Sequence, residues 1–172
     1  MADIKIQIQR LENLEKNITQ LTETDKNTYT FNTVNDKLAK LERDDDGTII
    51  INNYGNEESQ AHEVTHAAQY ESGKLIYVGN RTFFTPTVDG GFLELEVEAY
   101  QTGYSISGGV PQSKSGNVES VTDIDAEWVS GIYGIDANGN EIYLYKGYGT
   151  SSIINPMQGV FPWKPGPQIL GL

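Results

Sequence analysis

Cysteine is absent from the 172-residue chain, which excludes disulfide bracing and every zinc site built on thiolates. Histidine is scarce, with two in the whole sequence, so any metal held here rests on that pair and on oxygen. Positive charge is thin: 12 Lys and Arg stand against 24 Asp and Glu, a formal net charge of −12. A nucleic-acid partner demands a cationic face that displaces counterions from phosphate. The scattered basic residues form no such face, so nucleic acid is not expected as a partner. Long apolar runs are also missing. No stretch approaches the ~20 apolar residues that cross a bilayer, and no membrane partner is expected. Met1-Ala2-Asp3 leads into mixed polar and apolar residues, unlike the basic start and greasy run of a secretory leader.

What the chain does contain is a globular balance, 37% hydrophobic and 21% charged, enough for one domain with a core of its own. Ile4, Ile8, Leu11, Leu14, Ile18 and Leu21 recur at helical spacing and predict an amphipathic packing helix. Thr28 to Val34 alternates and is rich in β-branched and aromatic residues, which predicts a strand. Asp44-Asp45-Asp46-Gly47 is a turn signal. It lacks the ligand spacing of a calcium loop, so a solvated turn leading into a second strand, Thr48 to Asn52, is the expectation. Ser59 is a candidate N-cap for a helix that runs to about Ser72 and stops at Gly73. Further on, the pattern predicts strand and loop over 74–88, a helix from Phe92 to Tyr104, a loop from Ser107 to Asn117 and a short helix from Asp123 to Ile132. A hairpin is expected about Asn138-Gly139, spanning Ile135 to Tyr145. Pro156, Pro162, Pro165 and Pro167 bar regular structure in a tail at 155–172, leaving one domain over 1–154.

Both histidines fall in one run, His62-Glu63-Val64-Thr65-His66. On a helix, positions four apart share a face, so both imidazoles can reach a single ion while Glu63 points to the side, toward water. Two neutral nitrogen ligands and a separate carboxylate base are the parts of metal-assisted hydrolysis. A catalytic zinc wants a third protein ligand and one open position. A third histidine does not exist, and Gln69 and Ser72 stand where the longer three-histidine pattern needs Gly and His. The third ligand is therefore a carboxylate, and Glu94, Glu96 and Glu98 are the candidates. Glu94 and Glu98 share a helical face that Glu96 does not.

The run His62 to Gln69, followed by Glu96-Val97-Glu98-Ala99-Tyr100, resembles the gluzincin group of metallopeptidases. There a first helix carries HExxH and a second carries a glutamate ligand in a Glu-x-x-Ala-Asp type motif. The resemblance covers His62 to Tyr104. It implies Zn2+ on His62, His66 and Glu96, with Glu63 as the general base and Ala99 as the small residue that lets the helices approach. It leaves Glu94 and Glu98 as second-shell partners or alternative ligands. Tyr100 stands where many members have Asp, a departure that bears on who orients the first histidine. The implied fold is α+β, a zincin-like core with a small mixed sheet and a loop-rich C-terminal part. The edge strand bordering the cleft is placed at 48–52, where an extended peptide could add. Many gluzincins steady the oxyanion with a downstream His or Tyr. Only tyrosine remains for that task, with Tyr100, Tyr104, Tyr133 and Tyr143 as candidates. Short HExxH domains of this kind are also similar to toxin-type peptidases of bacterial secreted proteins, which implies a protein or peptide substrate and secretion as an effector. Against the peptidase stand two alternatives: an inactive or structural zinc module that recognises a protein partner, and a metal-free cell-surface or adhesion domain.

Overall fold

The computed structural model describes residues 2–35, 39–77, 84–88, 91–135 and 139–145. Along the chain, helix α1 (Ala2–Glu23) precedes three strands, β1 (Tyr29–Thr33), β2 (Lys40–Arg43) and β3 (Ile49–Asn53). Helix α2 (Glu57–Glu71), strands β4 (Leu75–Tyr77) and β5 (Phe84–Pro86) and helix α3 (Gly91–Ser107) follow. A 3-10 turn (Val121–Asp123), helix α4 (Ala126–Ser130) and the hairpin strands β6 (Tyr133–Ile135) and β7 (Glu141–Tyr143) close the described part. Helices and strands occupy separate segments, and the fold class is α+β. The proline-rich segment 155–172 lies outside the described residues. Among those residues, no helix is long and apolar enough to cross a membrane.

The first sheet has the order β1-β3-β2, with β1 parallel and β2 antiparallel to β3. The acidic turn joins β2 to β3, helped by Gly47 at φ +94°, a value that L side chains resist. Strand 48–52 was expected at an edge, and here the structure corrects the sequence reading. Ile51 is paired with Phe31 on one side and Leu41 on the other, so β3 is central, with Ile49 and Ile51 fully buried. Three consecutive isoleucines are stiff at χ1 and suit a strand flanked on both sides. β2 escaped notice because Lys40-Leu41-Glu42-Arg43 carries three charges; only Leu41 turns inward.

Leu41, Ile49, Ile51, Ala67, Leu75 and Leu95 form one core cluster, which seats α2 and α3 against the sheet. The helices run antiparallel: Gly103 lies against the backbone of Glu58, and Gln69 hydrogen-bonds Leu95 O. A Cβ on Gly103 would stand 3.0 Å from Glu58 O. Glu96, Ala99 and Gly103, at i, i+3 and i+7, share one face of α3, and Ala99 is fully buried. Small residues on that face keep the two backbones close.

α1 packs as expected, but on a different face from the one its apolar pattern suggests. Leu14 is buried with Ala61 and Val64, and Leu21 packs beside it. Ile4, Ile8, Leu11 and Ile18 remain 40–60% exposed. The inward face is partly polar: Arg10 donates to Gln101 Oε1, and Asp3 accepts from Ser120 Oγ and the Val121 N–H. Polar partners 91 and 117 residues away override the apolar stripe, a preference no local pattern reveals. The helix expected over 123–132 is split in two. Asp125 turns its side chain onto the Trp128 N–H and starts a fresh helix, α4. Behind it, Leu93, Ile124, Trp128, Val129 and Ile132 form a second cluster that carries the β6–β7 hairpin.

Candidate metal centre

α2 begins where β3 ends. Gly55 at φ +80° turns the chain, and the Asn56 side chain accepts the Ser59 N–H as the N-cap. Ser59, expected as the cap, lies inside the first turn, and its Oγ accepts the Tyr54 N–H. Asn wins because it sits one residue before the helical run, with extended φ and ψ. Ser72 is the C-cap and Gly73 follows at φ +79°. His62 and His66, one turn apart, face α3.

There they meet Glu96. Their Nε2 atoms are 3.0 Å apart; His62 Nε2 is 3.3 Å from Glu96 Oε2, and His66 Nε2 is 3.4 Å from Oε1. Each imidazole thus faces a different oxygen of Glu96, and one donor atom from each of the three residues lies within 4.8 Å of the others. The three form a group that could hold a metal ion, and their side chains are only 11–12% exposed.

The surroundings tune these groups. His66 Nδ1 pairs with Gln69 Oε1 at 2.8 Å. An amide oxygen only accepts, so the proton is on Nδ1 and the Nε2 lone pair is left for a metal. Gln69 Nε2 is itself held by Leu95 O and Glu98 Oε2, and Glu98 by Lys74 and Arg10. Glu98 thus supports the site through Gln69, and burial is outweighed by Gln69 and Lys74 in holding its carboxyl below the usual range. Glu94 is exposed on the far side of α3.

Burial opposes charge on every group of the cluster, and its opposition is met differently at each. It lowers His62, against the pull of Glu96. At His66 burial is overcome by the Glu96 carboxylate, with Glu63 and Gln69 adding to it, and the pKa rises to about 9. Glu96 is held well below the usual carboxylate range, because His66 and His62 outweigh its burial. Glu63, 4% exposed, is lifted by burial to about 8. The centre calls for positive charge, which a proton on His66 or a cation satisfies. Two buried polar atoms are left over: Glu63 Oε2 and His62 Nδ1 have no hydrogen-bond partner among the described residues. A buried carboxyl oxygen so placed is costly unless something binds it.

Among the candidate tyrosines, Tyr100 lies against a ligand, its ring 4.3 Å from that of His62. Tyr104 instead packs in the Trp128 cluster. Tyr133 gives its hydroxyl to Gln112 and its ring face to Lys114, and Tyr143 is its cross-strand partner on the hairpin. The hydroxyl that reaches the ligand set belongs to Tyr145, just past β7, 3.0 Å from Glu96 Oε2 and 3.0 Å from the Tyr100 hydroxyl. Compared with protein-family profiles, curated proteins and solved structures, the chain matches none.

Proposed function

We propose that the chain is a zinc peptidase of the gluzincin type, in which His62, His66 and Glu96 hold the ion and Glu63 is the general base. One observation carries the reading: a buried carboxyl group with an unpartnered oxygen follows directly on the first residue of a group that could hold a metal ion. Zinc, when bound, polarises a peptide carbonyl and makes water acidic near neutral pH. Glu63 then takes the proton of the attacking water and returns it to the leaving amine. Its burial suits that exchange, since a base raised toward neutrality both accepts and releases a proton at working pH. Gln69 keeps His66 in the tautomer that ligates, and a dry setting strengthens each of these contacts. Protein or peptide is the substrate class, in line with the resemblance to toxin-type peptidases.

Glu63→Gln tests the mechanism. The variant is expected to keep one zinc per chain and to lose peptide-library cleavage by about 10²–10⁴-fold, the range for a removed acid–base group. Cleavage at the parent rate would sink it. The near-burial of all three ligands favours a second reading, a closed zinc module that recognises a protein partner. A coordination sphere of four protein ligands with no exchangeable position, measured by X-ray absorption on the zinc-loaded protein, decides for that reading.

A further inference from the structure

Tyr145 has a single proton. Its hydroxyl donates that proton to Glu96 Oε2 at 3.0 Å. The 3.0 Å contact between the two phenols is then donated by Tyr100 to the Tyr145 oxygen. The chain of donation is therefore one-way, from Tyr100 to Tyr145 to Glu96. Both rings are partly buried and anchored: Tyr100 edge-on to Trp128 at 5.6 Å, and Tyr145 against the Leu93 cluster.

We propose that Tyr145 is a positioning residue that keeps Glu96 a one-oxygen ligand. Oε2 faces His62 Nε2 at 3.3 Å and takes the phenol proton, so the oxygen whose lone pairs are left wholly to the ion is Oε1, 3.4 Å from His66 Nε2. A carboxylate that gives one oxygen leaves a coordination position open, whereas one that turns both oxygens to the ion fills it. Tyr100 orients Tyr145 and, through it, Glu96, while its ring lies 4.3 Å from that of His62. This inference rests on the zinc site proposed above.

The test is zinc affinity of the metal-free full chain, measured by competition with a chromophoric chelator, beside the visible spectrum of the cobalt-loaded protein. Tyr145→Phe removes one oxygen atom and no packing. It is expected to bind zinc about 10–100-fold more weakly, the range for a lost outer-shell partner. Its cobalt spectrum should weaken as the ion leaves four-coordinate geometry, which a merely structural role would not cause. Tyr100→Phe should shift both readouts in the same direction by a smaller amount, and it carries the test if Tyr145→Phe does not fold. Tyr133→Phe, whose hydroxyl is bound elsewhere, should match the parent. Zinc affinity and cobalt spectrum unchanged in Tyr145→Phe overturn the inference while leaving the zinc site intact. A parent chain that takes up no zinc overturns both.

Discussion

At Gln69 one amide faces two ways, its oxygen toward His66 and its nitrogen toward Leu95 and Glu98. Replacing it with Leu keeps the volume but frees the imidazole to rotate and change tautomer. Gln69→Leu is expected to weaken zinc binding by about 10–100-fold, measured by the same chelator competition. An affinity equal to the parent's would show that the helix alone orients His66. The histidine pair was legible, because positions four apart on a helix share a face, whereas Glu96 was singled out from Glu94 and Glu98 by the resemblance alone and not by its spacing. Gln69 entered the sequence reading only as a residue that breaks a longer motif. Tyr145 did not enter it as a candidate. It is one of ten tyrosines, 49 residues from the carboxylate it meets, and only tertiary packing distinguishes it from the others.

Elements are joined to the site by buried anions and small residues. Glu71, at the C-terminal end of α2, accepts from Thr24, Asn27 and Tyr29 at 2.6–2.8 Å, tying the link between α1 and β1 to the helix that carries both histidines. Burial pushes its carboxyl up, but the three donors outweigh it, and the pKa falls below the ordinary 4.5. A depressed folded-state pKa gives stability that is fully present above the unfolded value and is lost as pH falls through the folded one. Glu71→Gln should therefore cost about 1.5–3 kcal/mol at pH 7, with the gap to the parent closing as pH drops below 4.5, followed by urea unfolding. At the α2–α3 contact, Ala99→Leu forces side-chain volume between two closely spaced backbones. About 1–3 kcal/mol of destabilisation is expected, together with weaker zinc binding, because Glu96 lies one turn away on the same face. Helices α1, α2 and α3 were legible because their periodic residues are local, but the Asn56 cap and the break between Asp123 and Ala126 were not. β2 and the central place of β3 were hidden, since strand order depends on partners that no short window contains.

Over the whole molecule the site gathers side chains from α2, α3 and the segment after β7, while the sheet holds α2 from behind. An ion that binds only this assembled arrangement must stabilise it. Zinc at about 100 times its Kd should add roughly 2.7 kcal/mol to unfolding, seen as a rise in Tm of a few degrees for a chain of this size, and chelation should reverse it. A Tm indifferent to zinc would mean that the folded chain has no preference for the ion. The α+β class was legible from the mixture of helical and strand periods, but the way α1 joins the rest was not. Asp3 clasps Ser120 and Val121, and the link after the same helix is held by Glu71. On a ribosome, α1 emerges before the groups that fasten it, the far ones 117 and 118 positions on. That clasp waits on the closure of a very long loop, so a helix made before its partners is among the last parts to be fixed.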